Sequence, residues 1–184
     1  MAAPGSALLS PRGKVLEGGA PRFFRRLAEG VFDEADVKFR ANELADFVAE
    51  AREAYGLEAP IAVGFSNGAN VAASVLLRRP GVLRAAVLLS PVVPLEPDPL
   101  PDLRGTAVFV GAGRADPIAP AEQAQRLAGL LQRAGAEVTL HWTDGGHAIT
   151  PGEVEAARHW IERHATAPSA AAAGLDSTAH ADSR

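Results

Sequence analysis

Three side chains in this sequence have the types and surroundings for joint chemistry: Ser66, Asp116 and His147. Ser66 sits in Gly64-Phe65-Ser66-Asn67-Gly68, Asp116 in Gly113-Arg114-Ala115-Asp116-Pro117, and His147 in Asp144-Gly145-Gly146-His147. A serine hydroxyl is a weak nucleophile until a base removes its proton. An imidazole titrates near working pH, so it can take that proton and return it to a leaving group. A carboxylate behind the imidazole fixes the tautomer and stabilises the imidazolium that forms. The chemistry this predicts is nucleophilic attack by Ser66, with His147 as base and Asp116 as its support.

The elements around these residues carry the expectation further. Ile61-Ala62-Val63 is a short apolar run that leads into the serine, and Val71, Ala72, Val75 and Leu76 follow with helical spacing. Gly-x-Ser-x-Gly between a strand and a helix reads as a sharp turn that lifts a serine above a sheet. The helix starting near Asn67 brings free N–H groups and a positive dipole end to the place where negative charge would develop. Thr106 to Val110 precedes Asp116, and Glu137 to Trp142 precedes His147. Each piece alone reads as an ordinary turn or loop. Serine, acid and imidazole in that order, each just past an apolar strand, are what point to a site.

Other candidates are less well placed. Asp98 and Asp102 lie in a proline-rich connection, and Asp144 is too near His147 along the chain. His141 falls inside a strand, while His159 and His164 lie on or after the last helix. Gly111-Ala112-Gly113 is a lone Gly-x-Gly, too weak for a nucleotide site. Metal-ligand spacing is not found. In Phe23-Phe24-Arg25-Arg26, exposed aromatics and arginines on a loop could line a binding cleft; the commoner alternative is that the phenylalanines merely tuck the loop onto the body.

The pattern predicts an α/β fold, a parallel sheet of about five strands flanked by helices. Strands are expected near 7–10, 61–65, 85–90, 106–111 and 137–142, and helices over 33–55, from the serine to about 79, over 120–134 and over 150–163. Residues 11–32 read as an irregular excursion. Leu44, Phe47, Val48, Ala51 and Tyr55 form one apolar helical face. Thr150, Pro151 and Glu153 make a capping box. Residues 1–165 are expected to form one domain and 166–184, rich in Ala and Ser, to stay disordered.

Composition narrows the function classes. The 184 residues are 47% hydrophobic and 22% charged, with net charge −4, an ordinary globular balance. An acidic chain does not carry a nucleic-acid footprint. No cysteine is present, which excludes disulfides and thiol catalysis. There is neither a signal peptide pattern nor an apolar run long enough to span a bilayer, so the cytoplasm is expected.

GFSNGANVAASVLL, VLLSPVVPLEP, GRADPIAP and VTLHWTDGGHAITPGEVEAARHWI together resemble the α/β-hydrolase superfamily. The nearest group is the small bacterial carboxylesterases, phospholipase-like and dienelactone-hydrolase-like. The resemblance covers about residues 7–164. It implies ester hydrolysis through an acyl-enzyme on a small-molecule substrate, with no cofactor. Ser66, Asp116 and His147 match the group's triad, and Asn67 matches the residue whose backbone N–H forms half of the oxyanion hole. The group's other donor comes from a His-Gly loop after an earlier strand, and this sequence has no His-Gly pair. The resemblance therefore implies missing N-terminal strands, with a misassigned start or a truncation, and a weakly active or non-catalytic remnant is the alternative. It also implies that the strand at 61–65 has a bare edge, with a gap beside it or an inward shift of residues 7–10, and that the edge invites a homo-oligomer.

Overall fold

The computed structural model describes residues 6–28 and 30–165. The 166–184 tail, assigned to disorder from sequence, lies outside them.

A four-stranded parallel sheet carries the molecule. It consists of β5 (Ile61–Phe65), β6 (Ala85–Leu89), β7 (Ala107–Gly113) and β8 (Glu137–Thr143), side by side in that order. Helices α1 (Glu34–Tyr55), α2 (Asn67–Arg78), α3 (Ala121–Arg133) and α4 (Pro151–Ala165) alternate with them. Before α1 stand two short hairpins: β1 (Val15–Glu17) with β2 (Ala20–Arg22), and β3 (Arg26–Ala28) with β4 (Val31–Phe32).

The side-chain period of two divides the core. Ala86 and Leu88 of β6, with Val108 and Val110 of β7, pack in one cluster with α1, α2 and α3. Ala85, Val87, Leu89 and Phe109 point the other way, onto Ala157, Trp160 and Ile161 of α4. Burial on both faces explains why β6 reads as the unbroken apolar run Ala85-Ala86-Val87-Leu88-Leu89.

Helix ends fall where the sequence puts them. Asp33 caps α1 by accepting the Asp36 N–H at 3.1 Å, and Gly56 closes it with a left-handed φ of 62°. Thr150 Oγ1 accepts the Glu153 N–H at 3.2 Å, while the Glu153 carboxylate accepts the Thr150 N–H, completing the capping box.

Three expectations are corrected. Residues 7–10 form no strand, so among the described residues the sheet has four strands rather than five. These residues stand off from β5, and together with α1 they enclose an apolar cavity of about 720 Å³ along its free edge, lined by Leu44, Val48, Ala51, Ile61 and Val63 among others. Second, the segment read as an irregular loop holds two hairpins, β1 paired with β2 and β3 paired with β4. Gly18 and Gly19 have φ of 56° and 82°, the backbone that a two-residue hairpin turn requires and that glycine adopts freely. Third, the buried stripe of α1 is Val37, Ala41, Ala45 and Val48. Phe47 and Tyr55 are exposed, and Leu44 and Ala51 face the cavity.

Candidate active site

Ser66 occupies the turn between β5 and α2. Its φ of 52° and ψ of −116° are unusual for a residue with a side chain. The tightness of this turn explains the flanking glycines. A Cβ on Gly64 would stand 2.5 Å from the carbonyl carbon and oxygen of Gly68. The Ser66 N–H donates to the Leu89 carbonyl at 2.8 Å, and the Ser66 carbonyl accepts the Asn70 N–H at 2.9 Å. The turn is thus tied to β6 on one side and to the first turn of α2 on the other.

Asp116 follows β7, and its side chain has no solvent exposure. Oδ1 accepts the Ile118 and Ala119 N–H groups, each at 2.8 Å. Oδ2 lies 2.8 Å from His147 Nδ1. Burial pushes this carboxyl up, but the Ala119 amide, His147 and the Ile118 amide together outweigh it, so the group sits below the usual aspartate value. An ionised carboxylate only accepts, so Nδ1 of His147 carries the proton in this pair. The bare Nε2 then faces Ser66 Oγ at 2.9 Å.

The loops after β7 and β8 are bonded to each other. The Arg114 N–H donates to the Thr143 carbonyl at 2.8 Å, and the Ala115 N–H to the Gly145 carbonyl at 3.1 Å. The Phe65 ring lies 5.0 Å from the imidazole of His147, centroid to centroid, and borders it on the β5 side.

The structure therefore brings Ser66, Asp116 and His147 into one hydrogen-bonded row. Asn67 opens α2, and its side-chain Oδ1 accepts the Phe23 N–H at 2.7 Å, which fastens the hairpin region to the serine turn. The set-aside residues lie elsewhere. Asp102 pairs with Arg104 at the surface, Asp144 is fully exposed, His141 stacks on Phe109 at 5.6 Å, and His164 bonds the Trp160 carbonyl at 2.7 Å.

A cavity of about 300 Å³ opens over Ser66 and His147. Sequence reasoning missed several of its walls: Arg22, Phe32, Asn70, Ser90, Val92 and Ile118. Ser90 alone had a legible signal, since it directly follows β6 at the same end of the sheet as the other three. Of the Phe23-Phe24-Arg25-Arg26 cluster, Arg26 lines this cavity, whereas Phe24 is wholly buried and packs edge-on against Phe32 at 5.0 Å.

The parallel sheet flanked by helices, with a strand-to-helix turn after β5, is the α/β-hydrolase fold. The chain belongs to the phospholipase/carboxylesterase family, whose sequence profile matches residues 24–165. It is 48% identical over 161 residues to MhqD of Bacillus subtilis (strain 168), a hydrolase by name, covering 86% of this chain and 80% of that one. The Bacillus cereus carboxylesterase superposes with a TM-score of 0.80 at 48% identity, over 83% of this chain and 73% of that chain. A carboxylesterase from Mesorhizobium loti gives 0.76 at 32% identity, over 82% and 73%. Among the described residues no helix is long and apolar enough to cross a membrane.

Proposed function

We propose that this chain is a serine carboxylesterase that cleaves small or acyl esters through an acyl-enzyme. The observation that carries the reading is His147, whose two ring nitrogens lie 2.9 Å from Ser66 Oγ and 2.8 Å from Asp116 Oδ2.

Ser66 Oγ attacks the ester carbonyl as His147 Nε2 takes its proton. The carbonyl oxygen gains negative charge and is met by the Asn67 backbone N–H at the start of α2. His147, now protonated and held by Asp116, gives its proton to the departing alcohol, leaving the acyl group on Ser66. Water then attacks the acyl carbon as His147 Nε2 takes its proton, and His147 returns that proton to Ser66 Oγ as the bond between the acyl group and Ser66 breaks and the acid leaves. Every step uses groups of this chain.

Ser66→Ala is expected to abolish hydrolysis of p-nitrophenyl acetate and butyrate together with labelling by a fluorophosphonate probe. Retention of both in the variant would refute the reading.

A second reading, weak turnover, draws on the oxyanion side. The Phe23 N–H is engaged by Asn67 Oδ1, and the Gly18-Gly19 turn does not line the cavity. Loss of one oxyanion donor lowers kcat by about 10²–10³ in a well-studied hydrolase. Turnover by this chain equal to that of the Bacillus cereus carboxylesterase on the same ester would exclude this second reading.

A further inference from the structure

We infer that the cavity over Ser66 is built for an ester that carries a carboxylate, and that Arg22 is the residue that selects it. The inference rests on the serine-esterase reading for its reaction and on the hairpins for its specificity.

The hairpins form the part of the wall that bears charge. Glu17 of β1 stands between two guanidinium groups, with Oε2 3.0 Å from Arg22 Nε and Oε1 2.6 Å from Arg26 Nε. Both arginines are largely covered, and both line the cavity that contains Ser66 and His147. The pairing with Arg26 is a hydrogen bond. That with Arg22 is close but misdirected: its Nε is a buried donor without a hydrogen-bond acceptor. Its terminal nitrogens also make no hydrogen bond within the described residues. Two other arginines, Arg40 and Arg52, have a buried Nε in the same condition, but neither lines this cavity.

A buried donor without an acceptor is costly, and a guanidinium presents its donors as a planar fork that matches a carboxylate. Nε is closed to solvent, so the bonding capacity that a ligand in the cavity can reach is that of the terminal nitrogens of Arg22, a residue that lines the cavity. Phe32, Val92 and Ile118 supply the apolar part of the same wall. A volume near 300 Å³ lies at the small end of ligand cavities. A short acyl or aryl chain with an anionic end fits these features better than a long neutral chain. Arg22 touches neither the reacting carbonyl nor His147 in this account, so its effect falls on selection among esters.

The test compares two p-nitrophenyl esters: the monoester of glutarate, and the neutral ester in which an isopropyl group replaces the carboxylate. A second acidic probe, acetoxybenzoate, carries the charge on the alcohol side. At least one acidic ester is expected to exceed its neutral counterpart in kcat/KM. Arg22→Gln is expected to lower that acidic-to-neutral ratio by about 10- to 100-fold, the range of a hydrogen bond to a charged group. Arg22→Lys should recover part of it. In the unmutated protein the ratio should also fall as sodium chloride is raised, because screening weakens a charged contact at a partly exposed site. This measurement stands even if a hairpin variant folds poorly. Calorimetric binding of glutarate to the unmutated protein and to Arg22→Gln reads the site without catalysis. Acidic-to-neutral ratios that respond neither to Arg22→Gln nor to salt, with no Arg22-dependent glutarate binding, overturn the inference. Fluorophosphonate labelling of Ser66 in the same samples is independent of these readouts. Its failure would count against the serine mechanism, while Arg22-dependent glutarate binding would keep the anion site.

Discussion

Gly113 and Gly145 touch backbone to backbone. A Cβ built on Gly113, at the end of β7, would stand 2.3 Å from the Gly145 carbonyl oxygen and 2.8 Å from that of Gly146. The loop bearing Asp116 and the loop bearing His147 are thus in contact along their main chains, and the distance between the two functional side chains is set by this contact. Gly113→Ala must push the His147 loop away. We expect kcat to fall by about 10²-fold, on the scale of a misplacement near 1 Å, with KM and the circular dichroism spectrum changing little. Steady-state kinetics beside fluorophosphonate labelling rates will show it.

Asp116 makes a stability prediction with a definite sign. Its folded value lies below the ordinary aspartate value, because the Ala119, His147 and Ile118 contacts outweigh burial. Its contribution is therefore present above the unfolded value and is lost as pH falls through the folded one. Asp116→Asn should lose this acid-side dependence in denaturant titrations. It should also lower kcat by about 10⁴-fold at neutral pH, the effect of the wrong imidazole tautomer in a well-studied triad.

Glu153 predicts the opposite slope. Burial raises its carboxyl above the usual glutamate value, against the Thr150 amide and His141, which lower it. A raised folded value gives stability that is full below the unfolded value and declines as pH rises through the folded one. Glutamine can keep the bond to the Thr150 N–H without the charge. Glu153→Gln is expected to flatten the pH dependence of Tm between acidic and neutral pH and to raise Tm at the upper end. An unchanged profile would contradict the assignment of this slope to Glu153.

Asn67 separates two roles in one residue. Its side chain holds the Phe23 N–H, whereas its backbone N–H is the proposed oxyanion donor. Asn67→Ala should destabilise the hairpin region by about 1–3 kcal/mol, the cost of a buried donor left unpaired, and speed hydrogen exchange around Phe23 and Phe24. Asn67→Asp keeps an acceptor for Phe23 and should retain that protection. It nevertheless places negative charge beside the developing oxyanion, so its kcat should fall.

The free side of β5 can be read by exchange. Among the described residues β5 pairs only with β6, while β6 and β7 each have two neighbours. Amides of Ile61–Phe65 that point into the 720 Å³ cavity should exchange faster than those of Val108–Val110. Equal protection would mean that the edge is satisfied by another chain or segment, and light scattering would distinguish a second copy.

The sequence by itself determined the strand–turn–helix around Ser66, the order of Ser66, Asp116 and His147, and the ends of the four helices. These are local quantities. A two-sided apolar run, a capping threonine or a terminating glycine acts through its near neighbours, and strand ends of one parallel sheet necessarily collect their loops at one side. Only the tertiary structure decided which stripe of α1 is buried. Val48 belongs both to the stripe read from sequence and to the one observed, and helical period cannot say which neighbour a face meets. It alone also decided that residues 7–10 stay off β5 and that Arg22, far from Ser66 in sequence, stands in the same cavity. A hairpin's sequence specifies its own turn, as Gly18-Gly19 does, but not the surface on which it lies. That surface was chosen by contacts without a local signature: the Asn67 amide oxygen on the Phe23 N–H, and Phe24 buried against Phe32.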